Sequence, residues 1–323
     1  MNNQDKEKIL VTGCAGFIGM HTSLSLLKDQ VTVLGIDNLS NYYDVNLKKN
    51  RLKILKHYKN FTFSKTDITK MDELKKIFED FRPSKVVNLA AQAGVRYSLE
   101  NPHTYIDTNI KGFMNVLECC RHNNVDNLIY ASSSSVYGGN TKIPFSESDN
   151  VDNPISIYAA SKKANELMAK TYNELYDLKS IGLRFFTVYG PWGRPDMAIS
   201  IFTKKILKGK PIKIFNYGKM GRDFTYIEDI VFGIRSAIKS NFSFKIYNLG
   251  NSKSEDLLEV VEIIEGSLRK KAKIEFAPMQ LGDVKKTFAD ISLAKVDLNY
   301  EPKTNVDQGI EKFVSWFREY YTL

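Results

Sequence analysis

Residues 8–19 read Lys8-Ile9-Leu10-Val11-Thr12-Gly13-Cys14-Ala15-Gly16-Phe17-Ile18-Gly19. The apolar run ends in three glycines, and residues 20–28 continue with helical character. A strand, a tight turn and a helix are the context in which spaced glycines bind a dinucleotide. We expect Gly13 to let the chain turn, Gly16 to admit a pyrophosphate to the backbone, and Gly19 to let the helix pack on the strand. The segment therefore predicts a dinucleotide-binding fold.

An acidic residue closes the second predicted strand, which spans residues 31–36 and is followed by Asp37. A carboxylate at this point accepts hydrogen bonds from the adenosine ribose hydroxyls and repels a 2′-phosphate. Asn38 follows it, so no arginine is offered to such a phosphate. The expected cofactor is therefore NAD rather than NADP. Asp67, after a strand at residues 61–64, is a candidate partner for the adenine amino group.

Strand and helix patterns alternate along most of the chain. Further apolar strands lie at residues 85–90, 127–132 and 180–185, with helices at roughly 102–122 and 157–176. Continuous apolar strands separated by helices predict an α/β fold, a Rossmann-type doubly wound parallel sheet covered on both faces. After about residue 187 the pattern loosens, which predicts a smaller C-terminal substrate-binding lobe. The expected division is 1–186 plus about 226–250 for the NAD-binding domain, and 187–225 plus 251–323 for the lobe.

The bulk composition fits a cytoplasmic enzyme. The chain has 323 residues, a formal charge of +9 and three cysteines. The cysteines are too few and too poorly spaced for a disulfide framework or a zinc site, so we expect no metal. The basic residues from Lys48 to Lys59, Arg51 among them, predict a helix with a solvated basic face, which explains the charge without nucleic acid. No apolar stretch follows the polar residues 1–5, so we expect no membrane span.

A tyrosine and a lysine lie four residues apart, at Tyr158 and Lys162. On a helix this spacing places both side chains on one face, one turn apart. A lysine ammonium beside a phenol favours the phenolate. Lowering the tyrosine pKa from about 10 to about 7 requires roughly 4 kcal/mol, which one ammonium rarely supplies, and a positively charged nicotinamide ring nearby could supply the rest. The serine run at residues 132–135 ends the fifth predicted strand, where a hydroxyl can relay a substrate proton to Tyr158.

The chain resembles the extended short-chain dehydrogenases/reductases of the NAD-dependent sugar-nucleotide epimerase/dehydratase family. The matching motifs are T-G-x-x-G-F-I-G, the serine run before Val136-Tyr137-Gly138, and Y-x-x-x-K, and the similarity covers essentially the whole length. Within the family, residues 41–44, 93–98 and 184–198 most resemble UDP-glucuronate 4-epimerases. The motifs and the resemblance together predict these NAD contacts: Gly13, Gly16, Phe17, Ile18, Gly19, Asp37, Asn38, Asp67, Ile68, Leu89, Ala90, Ala91, Asn109, Tyr158 and Lys162.

The resemblance also implies a mechanism. Tyr158, as phenolate, would take the proton of the sugar 4-hydroxyl while hydride leaves C4 for NAD. Lys162 would lower the pKa of Tyr158, and Ser133, with Ser134 as the next candidate, would touch the 4-oxygen. The 4-keto intermediate would then turn over in the pocket and take the hydride back on its other face.

The substrate contacts follow from the same resemblance. If the sugar carries a C5 carboxylate, its 4-keto form loses carbon dioxide readily, so the carboxylate must be held out of alignment with the carbonyl. An arginine fork suits this task, and Arg194 with Thr187 occupies the matching positions. Arg96 is a rival contact for the carboxylate or the diphosphate. Arg222 would contact phosphate and Asp283 the uridine ribose; many relatives place an arginine just before this Gly-Asp pair, and its absence here puts more weight on Arg222.

Several alternatives stay open. The same machinery epimerises UDP-N-acetylglucosamine, its uronic acid or UDP-glucose, and a UDP-glucuronate decarboxylase differs mainly in how the carboxylate is held. A 4,6-dehydratase is disfavoured because Ser134 and Ser135 stand where that class has Asp-Glu. A non-catalytic NAD-sensing protein would not need the hydroxyls of Ser133 and Tyr158. As in the family, the helices near residues 102–122 and 157–176 would form the four-helix interface of a homodimer.

Overall fold

The computed structural model describes residues 7–322 of the chain. The strands are β1 (Lys8–Thr12), β2 (Thr32–Ile36), β3 (Phe61–Ser64), β4 (Lys85–Asn88), β5 (Asn127–Ser133), β6 (Ser180–Phe185), β7 (Thr187–Tyr189), β8 (Ile212–Ile214), β9 (Gly221–Arg222), β10 (Phe224–Tyr226), β11 (Phe244–Leu249), β12 (Glu255–Asp256) and β13 (Ile274–Phe276). The helices are α1 (Phe17–Lys28), α2 (Val45–Lys56), α3 (Met71–Phe81), α4 (Tyr97–Glu100), α5 (Pro102–Tyr105), α6 (Phe113–His122), α7 (Ile157–Tyr176), α8 (Ala198–Leu207), α9 (Ile227–Lys239), α10 (Leu257–Leu268), α11 (Ser292–Leu298) and α12 (Val306–Tyr321).

A parallel sheet of seven strands organises the molecule, in the order β3-β2-β1-β4-β5-β6-β11. This order confirms the predicted Rossmann-type fold. The chain moves outward from β1 to β3 and then returns to start the other half at β4. In such sheets ligands bind where the order reverses, outside the carboxyl ends of the strands. The site is therefore expected beyond the ends of β1 and β4.

Apolar side chains alternate between the two faces of the sheet, as buried strands require. On β1, Ile9 and Val11 join a cluster that continues through α9 and α10 to α12, while Leu10 joins a second cluster with α3 and α6. The first cluster thus packs elements on both sides of residue 187 into one core. The shorter strands pair as β7 with β10, β8 with β13, and β9 with β12. The proposed division into two domains stays a prediction.

Two helices differ from expectation. The helix at α2 forms, but Lys48 and Arg51 are buried at 6% and 0% exposure, so the prediction of a fully solvated basic face is wrong for these two residues. Lys48 Nζ donates to the Ser40 carbonyl at 2.8 Å. The helix predicted at 102–122 contains a π-helical segment, Ile106–Gly112, between α5 and α6. Among residues 7–322, no helix is long and apolar enough to cross a membrane.

Candidate active site

A cavity of about 1500 Å³ lies at the carboxyl ends of the sheet strands. Its wall contains every residue predicted above to touch cofactor or substrate, with the exception of Asn109. One side is formed by the glycine turn and the segments after β2, β3 and β4. The other side comes from residues 187–222 and from the segment around Asp283. The sequence motifs therefore meet in one place.

The glycine turn has the backbone geometry that the spacing predicted. Gly13 has φ +68°, and a side chain there would place Cβ 2.8 Å from the Ala90 nitrogen. A Cβ on Gly19 would lie 2.1 Å from the Gly13 carbonyl oxygen, so only glycine lets α1 approach β1 this closely. Gly16 caps α1 without any side-chain hydrogen bond. The bare first turn of α1 thus faces the cavity with its positive dipole end, which fits a pyrophosphate.

Asp37 lies at the end of β2 and is nearly buried. Its Oδ2 accepts a hydrogen bond from the Ala15 nitrogen at 3.1 Å, and its Oδ1 accepts one from the Leu39 nitrogen at 2.8 Å. Burial raises the pKa of Asp37, while the charge of Lys48 and these hydrogen bonds oppose the shift. Each carboxylate oxygen keeps a free lone pair, so the fixed side chain can still accept hydrogen bonds from ribose hydroxyls.

Asn38 and Asp67 form a pair beside Asp37. Asn38 Nδ2 donates to Asp67 Oδ2 at 2.8 Å. Burial alone would raise the pKa of Asp67, but the hydrogen bonds from Asn38 and Thr69 outweigh it and leave the pKa lowered. Asp67 therefore stays ionised at the cavity edge, as an acceptor for the adenine amino group requires.

Asn109 lies behind the cavity wall, and its predicted contact with the cofactor stays a prediction. The residue is 2% exposed. Its Oδ1 accepts from the Gln92 nitrogen at 2.8 Å, and its Nδ2 donates to the Gln92 carbonyl at 3.0 Å and to Ser161 Oγ at 2.9 Å. With its amide groups used in this way, Asn109 fastens the segment after β4 to α7. Leu89, Ala90 and Ala91 of that segment do line the cavity.

Tyr158, Lys162 and Ser133 converge from α7 and β5. Ser156 starts α7 by accepting a hydrogen bond from the Ala159 nitrogen at 3.1 Å, which fixes the helix start and places Tyr158 in its first turn. Lys162, one turn later, donates from Nζ to the Ala131 carbonyl at 2.9 Å. Ser133 closes β5 and lies close enough to the phenol to lower its pKa.

The protein groups alone do not make Tyr158 acidic. Burial raises the pKa of Tyr158, and the Ser133 hydroxyl and the charge of Arg194 only partly oppose it. Burial also lowers the pKa of Lys162 to about 8. Lys162 is still mostly protonated at pH 7, but it is not among the groups that oppose the raised pKa of Tyr158, and the lowering of the tyrosine pKa by Lys162 stays a prediction. A further positive charge beside the phenol, such as the nicotinamide ring considered in the sequence analysis, would favour the phenolate.

Arg194 faces the cavity but already holds a carboxylate. Its Nε and Nη2 donate to Asp196 at 3.0 and 2.5 Å, and Tyr42 Oη donates to Asp196 Oδ2 at 3.0 Å. Burial lowers the pKa of Arg194, but the charge and hydrogen bonds of Asp196, together with the nearby Tyr42 and Tyr43, outweigh burial and leave the pKa raised. Thr187 begins β7 and lines the same wall. The fork predicted to clamp a sugar carboxylate therefore exists, in contact with a carboxylate of the chain itself.

A second ion pair joins residues far apart in sequence. Arg96 Nη2 lies 3.1 Å from Asp283 Oδ2, and the Arg96 guanidinium lies over the Phe215 ring at 4.9 Å. Arg222 donates to the Gly221 and Lys285 carbonyls at 2.9 and 3.3 Å. Burial lowers the pKa of Arg222, while the charge of Asp283 opposes this shift. Three predicted substrate residues thus form one charged group at the cavity wall.

Sequence reasoning missed three polar residues of the cavity. Ser135 Oγ donates to Ser133 Oγ at 2.8 Å and extends the hydroxyl pair beside Tyr158. Tyr42 and Asp196 complete the contacts of Arg194. Ser135 belongs to the serine run, and Tyr42 and Asp196 lie in segments that carried the family resemblance. The sequence therefore pointed to the segments that contain these residues, but not to the hydrogen bonds that they form.

Comparisons with known proteins agree with this geometry. The family model described as "NAD dependent epimerase/dehydratase family" matches residues 9–250. UDP-glucuronate 4-epimerase 4 of Arabidopsis thaliana is 48% identical over 97% of this chain and 76% of its own length. The crystal structure of UDP-glucuronic acid 4-epimerase from Bacillus cereus, in complex with UDP-glucuronic acid and NAD, has 35% identity and a TM-score of 0.92 over 97% of this chain and 100% of that one.

UDP-glucose 4-epimerase from Thermotoga maritima, in a structure with UDP-glucose, is also similar, with 31% identity and a TM-score of 0.88 over 97% of this chain and 99% of that one. The family model spans the glycine turn, the serine run and the Tyr158–Lys162 pair. The chain belongs to the NAD-dependent epimerase/dehydratase family.

Proposed function

We propose that the protein is an NAD-dependent 4-epimerase of UDP-sugars that interconverts UDP-glucuronate and UDP-galacturonate. The observation that carries this proposal is a single cavity that joins the glycine turn, the Tyr158–Ser133 pair and the Arg194 fork. Similar proteins in plants and bacteria are named UDP-glucuronate 4-epimerases. The cavity chemistry and the similarity support the same activity.

The cofactor side of the cavity fits NAD. Gly13, Gly16 and Gly19 leave room for a pyrophosphate at the start of α1, and Asp37 is fixed to accept from the ribose hydroxyls. NAD, when bound, supplies the hydride acceptor and donor for sugar C4 and a positive charge near the phenol. The residues of the chain bind it, orient it and manage the proton.

Proton transfer is the task of Tyr158. Its hydroxyl takes the proton of the sugar 4-hydroxyl in one direction and returns it in the other. Ser133 shares this proton through its hydroxyl, and Ser135 holds Ser133 in place. Lys162 is fixed by the Ala131 carbonyl on the same helical face as Tyr158. Because burial raises the pKa of Tyr158, further positive charge beside the phenol favours the phenolate that acts as the base.

The carboxylate is the task of Arg194. A 4-keto uronate loses carbon dioxide when its carboxylate bond aligns with the carbonyl, so an epimerase must hold the group elsewhere. The planar fork of Arg194 binds a carboxylate at two points, and Thr187 adds a hydroxyl donor at the same wall. This hold separates epimerisation from decarboxylation.

The UDP group is assigned to the part of the cavity wall that carries Arg96, Arg222 and Asp283. Arg222 and Arg96 offer positive charge to the diphosphate, and Asp283 offers acceptors to the ribose hydroxyls. Asp283 now pairs with Arg96, so UDP binding would exchange that ion pair for contacts with phosphate and ribose.

A homodimer and a cytoplasmic location complete the proposal. The segment from α4 to α6 and the neighbouring α7 carry large apolar side chains that are exposed in the single chain, which a self-association surface would cover. These residues are Leu99, Ile106, Met114, Leu167 and Leu175. The three cysteines are free and buried, as is typical of reducing compartments. Sedimentation at micromolar concentration should give twice the mass of the chain, and a monomer would contradict the dimer.

Incubation with UDP-glucuronate tests the activity. Analysis by mass spectrometry and NMR should find UDP-galacturonate of unchanged mass. A product lighter by one carbon dioxide would mean decarboxylation, and the absence of any reaction with UDP-sugars would favour an NAD-sensing protein. Tyr158→Phe is the control: it should lose roughly a thousandfold or more of turnover while keeping bound NAD. Full activity of that variant would show that the proton acceptor is misassigned.

A further inference from the structure

The guanidinium of Arg51 is fully buried on α2, at 0% exposure. Its partners within residues 7–322 are backbone carbonyls and one phenol. Nη1 donates to the Ala15 carbonyl at 3.0 Å and to Tyr43 Oη at 2.7 Å. Nη2 donates to the Trp192 carbonyl at 2.5 Å and to the Gly193 carbonyl at 3.4 Å. A buried charge is costly unless its hydrogen bonds are satisfied. Moving these carbonyls away from Arg51 would leave its buried guanidinium without acceptors, so the contacts hold the backbone in place.

The turn that Arg51 holds is strained. Gly190 has φ +144°, and Trp192 has φ +63°, a region that a bulky residue rarely adopts. The Trp192 ring packs against Trp316 and Tyr320 of α12, with ring centres 5.4 and 5.0 Å away. A tryptophan keeps a left-handed backbone conformation only where several surrounding contacts hold it there. Arg51 contributes two hydrogen bonds to the Trp192 carbonyl.

His21 of α1 holds the preceding carbonyl. Its Nε2 lies 2.9 Å from the Pro191 carbonyl oxygen. Burial lowers the pKa of His21 to about 4, which favours the neutral ring, and because the Pro191 carbonyl can only accept, this contact requires the ring proton on Nε2. Residues 191–193 therefore present three successive carbonyls to donors from α1 and α2, and Arg194 follows directly.

The same guanidinium reaches the cofactor side. Ala15 lies inside the glycine turn, and its peptide nitrogen donates to Asp37 Oδ2 while its carbonyl accepts from Arg51. Arg51 thus bridges the glycine turn and the turn that precedes Arg194. Arg51 does not line the cavity, so it acts through these two turns.

We propose that Arg51 is a positioning residue that sets the placement of the Arg194 fork by holding the strained turn at residues 191–193 against the glycine turn. The inference rests on the proposed function, because it assumes that Arg194 clamps the sugar carboxylate. A chain without this guanidinium keeps Arg194 but lets it move relative to the cofactor side. The consequence is specific: the carboxylate is bound more weakly and drifts into alignment with the 4-keto group.

In that aligned state the bond from C5 to the carboxylate carbon breaks. Its electron pair passes to the C4 ketone as an enolate, which takes a proton from water at C5, and carbon dioxide leaves. The product is a 4-keto pentose lighter by one carbon dioxide, or the pentose that the hydride taken from C4 regenerates. A merely structural role of Arg51 would not change this product ratio.

The test compares Arg51→Met and Arg51→Lys in the NAD-bound enzyme, with Lys53→Met as the matched control. Lys53 lies on the same helix, carries the same charge and is exposed. We expect Arg51→Met to raise KM for UDP-glucuronate by roughly tenfold or more, with a larger share of decarboxylated product, while NAD content stays within about twofold of the unaltered chain. Arg51→Lys keeps the charge but lacks the fork, so its defect should be intermediate.

Two outcomes overturn the inference. The first is an Arg51→Met enzyme with the KM and product ratio of Lys53→Met. The second is a variant that loses NAD affinity but has an unchanged KM for UDP-glucuronate at saturating NAD, since Arg51 would then serve the glycine turn alone. If Arg51→Met does not fold, Arg51→Lys decides by the same criteria. An unaltered chain that does not act on UDP-glucuronate would instead refute the proposed function.

Discussion

The two sides of the cavity are built from different material. The cofactor side, residues 13–19 with the segments after β2, β3 and β4, depends on backbone geometry: positive φ at Gly13, the close approach at Gly19 and amide hydrogen bonds to Asp37. The sugar side, with Arg194, Arg96 and Asp283, depends on charged side chains in ion pairs: Arg194 with Asp196, and Arg96 with Asp283. We therefore expect a ligand to find the first side already formed, and an anion on the second side to compete with carboxylates of the chain.

The largest expected effect is on the preformed side, with Gly19→Ala. The added Cβ would lie 2.1 Å from the Gly13 carbonyl oxygen, a backbone atom that can yield only if α1 moves away from β1. We expect a loss of NAD affinity of about a hundredfold or more and a destabilisation of roughly 1 to 3 kcal/mol. Calorimetric titration with NAD and denaturant unfolding measure the two effects.

Gly266→Ala is the matched control for that substitution. Gly266 lies within α10, and no atom stands within 4 Å of a Cβ built there. Because alanine favours the helix, this variant should be unchanged in NAD binding and more stable by about 0.5 to 1 kcal/mol. Equal NAD affinities for Gly19→Ala and the unaltered chain would mean that the cofactor side adapts, and the contrast between the two sides would be lost.

This contrast also explains how far the sequence could be used for prediction. Gly13 and Asp37 act through local geometry, so spacing along the chain was enough to place them. Arg96 and Asp283 are separated by 187 positions, so no local sequence pattern predicts their ion pair. Arg51 has the helical spacing of its lysine neighbours, and only the packing of α2 against the turn at residues 191–193 buries it.

Asn109 illustrates a different limit of prediction from sequence. The family resemblance predicted a contact between Asn109 and the cofactor. A resemblance does not show which groups a side chain is hydrogen-bonded to. In the structure the Asn109 side chain bonds to Gln92 and Ser161 and lies behind the cavity wall. Likewise, the spacing of Tyr158 and Lys162 predicted one helical face, but burial decides the direction of both pKa shifts.

Lys162 lies where the two sides of the cavity meet. Its buried charge affects the stability of the fold, and the expected effect is intermediate in size among these predictions. Burial lowers its pKa to about 8, below the unfolded value of about 10.4. The folded chain therefore binds fewer protons than the unfolded chain between these values, so stability rises as pH rises through this window. Below pH 8 the full cost of burying the ammonium is present.

Lys162→Met removes that cost together with the activity. Without bound cofactor, the variant should be more stable than the unaltered chain at pH 7 by roughly 1 to 3 kcal/mol, and the difference should shrink as pH rises from 8 towards 10. Chemical denaturation at both pH values measures it. A variant that is less stable at pH 7 would mean that the hydrogen bond to the Ala131 carbonyl outweighs the burial of charge.

The smallest expected effect is on the exchangeable side, with Asp196→Asn. The carboxylate of Asp196 occupies one two-donor edge of Arg194, formed by Nε and Nη2, so a uronate that uses this edge must compete with it. An amide of the same size keeps the Tyr42 contact within reach but removes the negative charge. We expect KM for UDP-glucuronate to fall by about three- to fivefold, the range typical of a partly exposed ion pair, with kcat nearly unchanged.

The opposite result would be equally informative about the two sides. If KM rises and decarboxylated product appears, Asp196 aims the guanidinium instead of competing for it, because a freed fork that binds less well must have lost its orientation. Arg194 would then be as rigidly placed as Gly19, held by Asp196 in front and by the Arg51-bound turn behind. The sugar side would then also be preformed. Selectivity for a substrate with a carboxylate would come from the fixed position of Arg194, and not from replacement of Asp196 by the substrate carboxylate.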